Sequence, residues 1–452
     1  MSNGQAQRSS IFSGLLLILL GLLFLLARFD PNLGIWHIFW RYWPLVIILW
    51  GIAKLIDHFG AQRTGQRRPP LLNGSEAALL VLVFFILVAM GIYSKIKEKN
   101  PDLNFDVGMF NHQATQSQEL PAKTIPASSH VALTTVRGSI TAHAGEGNDL
   151  LVSVNETAEG GTELSAQDRM KTLHVVIEQT SDGYSVHPVN LEDTGGHVTV
   201  DLDVTLPKKV SITATSDRGD IHISGVSGAV TATAQHGDIE VHDVGSDLSA
   251  KMTKGDARIT DVAGNFSLAG HGNEIEISDV KGNVAIDGDF FGPIRLRNVA
   301  GTTHYHSQKA DLTLVGMRGR LELDSEHMEI SDVSGAAKLN THDKDIEVEN
   351  VSGRLDITDT KGDIKVRYSQ PPREDITIAN DSGEVDMTLP SNSSFEISAV
   401  SQSGEVQSEF EGATLNLQND NGTGRLNGKV GTGTPKIHIA TSYGTFSLHK
   451  SS

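Results

Sequence analysis

Over most of the chain apolar and polar residues alternate in short runs, and from Gly219 to Ser369 the alternation is locked to a phrase that returns about every eighteen residues. It reads GDIHISGVSG at Gly219, GDIEVHDVGS at Gly237, GDARITDVAG at Gly255 and NEIEISDVKG at Asn273. It continues as GPIRLRNVAG at Gly292, ADLTLVGMRG at Ala310, HMEISDVSG at His327, KDIEVENVSG at Lys344 and GDIKVRYS at Gly362. A valine-type residue closes the phrases at Val226, Val244, Val262, Val280, Val299, Met317, Val333 and Val351, in steps of 18, 18, 18, 19, 18, 16 and 18.

The two-residue period within each phrase is that of a strand, not the 3.6 of a helix. One inward column is Ile223, Val241, Ile259, Ile277, Leu296, Leu314, Ile330, Val348 and Val366. Its neighbour runs Ile221, Ile239, Ala257, Ile275, Ile294, Leu312, Met328, Ile346 and Ile364. A second strand follows in each unit, with pairs such as Leu248 and Ala250 or Phe266 and Leu268. No unit buries these residues alone; stacked at the ~4.8 Å spacing of paired strands they make one core. The predicted fold is therefore all-β, a parallel β-solenoid (β-helix) of 18–21-residue rungs.

Stacking puts equivalent outward residues above one another: His222, Glu240, Arg258, Glu276, Arg295, Thr313, Glu329, Glu347 and Lys365. Glu240 to Arg295 alternate in sign, as neighbouring rungs require. Two residues after each valine stands a small residue, usually glycine (Gly228, Gly264, Gly282, Gly301), expected to supply a positive φ at the corner. Just before the valine stand Asp243, Asp261, Asp279, Asn298, Asp332 and Asn350, read as turn-capping residues rather than calcium ligands.

Before the repeats the pattern changes. Three apolar stretches, about 11–27, 36–56 and 77–93, are 17 to 21 residues long, and predict three transmembrane α-helices in a membrane domain over 1–99. The second span holds all four tryptophans, three of them in its first turns, as an interfacial belt would. Arg63, Arg67 and Arg68 between spans two and three put that loop in the cytoplasm by the positive-inside rule, so the N-terminus is cytoplasmic and everything after Tyr93 lies outside, periplasmic or extracellular. A proline-punctuated linker is expected over 100–128, a β lead-in and cap over 129–218, regular repeats over 219–369, and wider coils with a cap over 370–452, where Gly383, Gly404, Gly424 and Gly444 step by 21, 20 and 20.

Charge narrows the partners. Asp plus Glu number 55 against 37 Lys plus Arg; the first 100 residues hold four and ten of these, leaving 51 against 27, a net −24, beyond them. Such a surface repels nucleic acid and anionic headgroups. Cysteine is absent, which excludes disulfides and a thiol nucleophile.

Two resemblances can be tied to residues. GLLLILLGLLFLL followed by WRYWPLVIILWGIAKLI, within roughly residues 11–57, resembles the transmembrane module of the LiaI and LiaF cell-envelope stress proteins. The GDI-type repeats, LPSNSSFEISAVSQSGEVQSEF and PKIHIATSYGTFSLHK, over about residues 130–450, resemble the putative-adhesin domain family of bacterial envelope proteins, akin to autotransporter adhesin heads. The resemblance implies a β-helical fold of undefined activity, and it carries no catalytic residues to transfer; with the loop charges it places the chain in the bacterial inner (cytoplasmic) membrane.

His304 and His306 flank Tyr305 on one strand, and alternate positions share a face that could chelate a metal; with Tyr305 inward, no catalytic residue, cofactor or metal site is assigned. The largest departures from the period are the two-residue deletion before Val333 and the Phe290-Phe291-Gly292-Pro293 corner. Phe290 or Phe291 is expected at a contact surface, with corner packing as the alternative. Three functions follow: an adhesin-like binding or scaffolding module with an envelope protein or polysaccharide partner, a LiaF-type stress regulator acting through its membrane helices, or a carbohydrate-active β-helix enzyme. The first is the expectation, and it is not an enzyme.

Overall fold

The computed structural model describes residues 112–190 and 197–452; the three spans and the first part of the expected linker lie outside them. Among the described residues no helix is long and apolar enough to cross a membrane. The second part of the linker is not a linker. Residues His112–Glu119 form β1 and Lys123–Thr124 form β2, both antiparallel to β5 (Asp149–Gly160). The reason is Ile125, 1 % exposed, which fastens this segment to the core after Leu120 has joined the edge of β5 through Val152 O.

The lead-in already contains full rungs. β3 (His130–Arg137) and β4 (Ile140–Gly145) make one, β7 (Gly183–Val189) with β8 (Val198–Pro207) another, and β9 (Ser211–Arg218) with β10 (Ile221–Ser224) a third. Their order in space is not their order in sequence: β3 lies between β7 and β9, and β4 between β8 and β10. The outermost parallel rung is then covered by antiparallel strands, β6 (His174–Gln179) on β7 and β5 on β8. One ten-residue helix, α1 (Glu163–Thr172), departs from the all-β expectation and packs on β5 and β1. Thr162 and Ser165 cap it reciprocally, and Ala166, Met170 and Leu173, at helical spacing, are buried.

From here the predicted rungs stack in parallel. One ladder runs β10, β12 (Ile239–Val244), β14 (Ala257–Val262), β16 (Ile275–Val280). The other runs β9, β11 (Val230–His236), β13 (Leu248–Met252), β15 (Phe266–Gly272), β17 (Val284–Phe290). Their inward residues and the valine column share one hydrophobic core. Ile259 pairs in register with Val241 and Ile277 and is 0 % exposed.

At β18 (Ile294–His306), a whole rung in one bent strand, the chain turns back. β19 (Ala310–Leu323) runs antiparallel to it along both ladders, and β20 (His327–Val333) and β21 (Ala337–Thr341) then run antiparallel to β19. This corrects the columns: Leu321 and Leu323 pair with Leu296 and Ile294, while Leu314 and Leu312 face Thr303 and Tyr305 in the other ladder. The outward position given to Thr313 belongs to Glu322, between Arg295 and Glu329. Only Met317 keeps its place, between Val299 and Val333. Parallel stacking resumes through β22 (Asp345–Val351), β23 (Leu355–Asp359), β24 (Ile364–Arg367), β25 (Ile376–Ser382) and β26 (Val385–Pro390).

The C-terminal coils do not simply widen in succession. The last rung, β31 (Lys436–Tyr443) and β32 (Phe446–Ser451), inserts between the β25/β26 rung and the outermost one, β27 (Phe395–Ser403) with β28 (Val406–Ser408). β30 (Thr423–Val430) then covers β27, and β29 (Asn416–Asp420) covers β30, both antiparallel. The fold thus ends alike at both extremities, with antiparallel strands laid over an open parallel edge. The outermost of them, β1 and β29, carry almost wholly exposed polar side chains, which discourages pairing with another sheet.

Candidate binding surface

The corners carry the first correction at residue level. Positive φ falls on the residue before the valine: Gly225 (72°), Asp243 (54°), Asp261 (58°), Asp279 (59°), Asn298 (51°), Asp332 (52°) and Asn350 (56°). Asp and Asn tolerate this left-handed conformation better than other side chains, which explains the column. The glycine two residues after the valine is needed for a different reason: a Cβ on Gly282 would lie 2.4 Å from Gly264 O of the rung beside it. Close stacking of backbones, not backbone twist, selects glycine there.

The carboxylates of the Gly-Asp corner bind across rungs. Asp220 Oδ1 accepts from Asp238 N (2.9 Å), and Asp238 Oδ1 from Asp256 N (2.8 Å). Asp247, Asn265 and Asn283 form a like ladder on the following turn, ending at Thr302 N. On the outer face Arg258 donates to Glu276 (3.2 Å) and Arg295 to Glu322 (3.2 Å). The three successive glutamates Glu322, Glu329 and Glu347 are each met by an arginine: Arg295, Arg320 and Arg367.

Phe290 and Phe291 separate in role. Phe290 packs, half-buried, against the core, whereas Phe291 is 82 % exposed, the most exposed large apolar side chain among the described residues. Its N–H is held by Gly272 O (3.1 Å), so the ring projects from a hydrogen-bonded backbone. His304 and His306 stack with ring centroids 6.5 Å apart and an interplanar angle of 4°, both exposed, while Tyr305 between them is buried. Among the described residues no three His, Asp or Glu side chains converge to hold a metal ion.

Two open grooves follow the valine corner, one on each side of the reversed rung. The first, ≈ 430 Å³, is lined by Asp243, Asp261, Asp279 and Asn298. The second, ≈ 440 Å³, is lined by Arg318, Asp332, Asn350, Tyr368, Arg373 and the serines between them. The rung around Tyr368 breaks the rule of its neighbours. With Glu349 paired to Arg367 and Leu355 to Ile376, the turn through Pro371 and Pro372 is three residues longer than the turn beside it. Without a left-handed Asp or Asn, the alternation carries one step further and turns Tyr368 inward, 6 % exposed. Its hydroxyl has no hydrogen-bond partner, and burial pushes its pKa well above the usual phenol value. In the sequence the place is marked by the loss of the Asp-Val phrase at Tyr368-Ser369 and by the two prolines.

Residues 265–449 match the family model described as Toastrack DUF4097, and residues 11–55 that of the LiaI-LiaF-like transmembrane region. Comparison with curated proteins gives no match. Among solved structures, a putative cell adhesion protein from Clostridium sporogenes ATCC 15579 aligns over 75 % of this chain and 100 % of its own, at 8 % identity and TM-score 0.16. A putative adhesin from Bacteroides fragilis NCTC 9343 aligns over 74 % of this chain and 97 % of its own, at 11 % identity and TM-score 0.18.

Proposed function

We propose that this chain, which joins a DUF4097 toastrack β-domain to a LiaI-LiaF-like transmembrane region, is an adhesin-like binding or scaffolding module of the bacterial cell envelope, held in the inner membrane with its repeats outside. The observation that carries the reading is Phe291. An aromatic ring 82 % exposed, more than any other large apolar side chain among the described residues, stands ready for a partner and contributes little to the fold. The short turns between rungs build open grooves rather than a lidded pocket, which favours binding over catalysis. The test uses full-length protein in nanodiscs, presented with peptidoglycan, envelope polysaccharides and common glycosides. Saturable binding is expected, lost in Phe291→Ser with the melting temperature kept. Phe290 is left intact because it packs on the core. Turnover of any of these ligands, abolished by changing one acidic residue, would make the binding reading wrong.

A second reading, a stress regulator of LiaF type, is favoured by the match over residues 11–55. Replacing residues 1–99 by an unrelated three-span anchor separates the two. A scaffold keeps its envelope function in that chimera, and a regulator loses it.

A further inference from the structure

The second corner groove brings together two cations without an acidic partner. The domain is acidic, and four of its arginines, Arg258, Arg295, Arg320 and Arg367, are spent on glutamates of neighbouring rungs. Arg318 and Arg373 have no carboxylate partner, yet both line this one groove, from the reversed strand β19 and from the proline turn. Asp332, the acidic residue beside them, accepts from Asn350 Nδ2 (3.2 Å), and Asn350 is itself held by Ser369 N through its Oδ1 (2.9 Å). The serines between them, Ser334, Ser352 and Ser369, complete the lining.

We propose that this groove binds an oxyanion, a carboxylate or phosphate carried by a sugar or polyol, with Arg318 and Arg373 supplying charge. Guanidinium groups meet such anions through paired N–H donors, a geometry that lysine does not offer. The groove's volume of ≈ 440 Å³ suits a ligand of one or two sugar rings. Its position explains why the site is built here and not at the first groove: the reversed rung contributes an arginine, where the parallel rungs contribute Asp243, Asp261 and Asp279. The proposal deepens the binding reading and rests on it, but at a corner separate from Phe291.

The test is calorimetric titration of the full-length protein in neutral-lipid nanodiscs with D-glucuronate and, separately, sn-glycerol 3-phosphate. At least one should bind with a Kd of about 1 mM or tighter, as expected of a small probe in an open groove. The probe that binds more tightly tells a sugar carboxylate from a polyol phosphate. Arg318→Ala with Arg373→Ala should weaken binding about ten-fold or more, by loss of two charge-assisted contacts. Both side chains are exposed, so the variant should keep the wild-type melting temperature. Arg297→Ala, an exposed arginine of the outer face without an ion pair, should bind as wild type. Absence of binding by both probes, an unchanged Kd in the double variant, or an equal loss in Arg297→Ala would each overturn the site. A Phe291→Ser protein that still binds the anion separates this result from the envelope-polymer test above.

Discussion

At the residue scale the stack sorts neighbouring positions into unlike energetic roles. Ile259 is fully buried between Val241 and Ile277, and Arg258 beside it reaches Glu276 in solvent. Ile259→Ala should cost ~2–5 kcal/mol and Arg258→Ala under ~1 kcal/mol in denaturant melts, and equal effects would contradict the register. Glu156 is the opposite case, a carboxylate 2 % exposed on β5 whose Oε1 has no partner. Burial pushes its pKa up, with the charge of His174 opposing. A raised pKa in the folded state means that its contribution is complete below the unfolded value of about 4.3 and is lost as pH rises through the folded one. Glu156→Gln should therefore melt above wild type at pH 7, and the gap should close below about pH 4. A gap independent of pH would show that charge is not the cause. The inward column was legible in the alternation of residues, because burial and the two-residue period are the same fact. The buried glutamate was not, since nothing near it in sequence announces which strand will cover it.

At the element scale the reversed strand shows how far a pattern reaches. Measured from Met317, the inward residues of β19 fall five and three before and four and six after, the spacing of an ordinary rung such as the one around Val226. Alternation reads alike in both directions. The difference lies in the turns. Regular rungs enter through Gly-Asp with positive φ at Gly219, Gly237 or Gly255, whereas Ser307 and Asp324 close the two turns about β19. Asp324 Oδ1 accepts from Glu326 N and His327 N, which holds its pKa below the usual carboxylate range despite the opposing effect of burial. Lys344, which replaces the corner glycine of the next rung, donates Nζ to Asp324 O (2.7 Å) and Ser325 O (2.9 Å). These two side chains hold a hairpin where a parallel step would otherwise fit. β1 and β2 teach the converse. A polar, proline-flanked stretch reads as a linker, yet it is fastened through Leu120 and Ile125. A protein starting at residue 129 should accordingly lose ~2–5 kcal/mol relative to one starting at 108, the scale of removing one buried aliphatic side chain. Equal stability of the two would return the segment to a linker.

At the scale of the whole molecule the loop charges predict three spans with the repeats outside. With no native cysteine, Thr64→Cys and Thr231→Cys give single probes. Thr231 is exposed on the outer face, unlike Ser216 on the neighbouring strand β9, which is 0 % exposed and unsuited to labelling. A membrane-impermeant thiol reagent should reach only position 231 in spheroplasts, and reaction at position 64 alone would reverse the topology. The period of eighteen by itself determined that strands stack, which residues turn inward, and where the corners fall, because each of these depends only on contacts that repeat from one rung to the next. The insertion of the first and last rungs inside the ends of the stack and the meeting of Arg318 with Arg373 in one groove were decided by the tertiary structure alone. Those depend on which open edge a strand covers. A strand finds an edge by hydrogen bonding of the backbone, which every residue but proline offers equally, so no side-chain pattern records the choice.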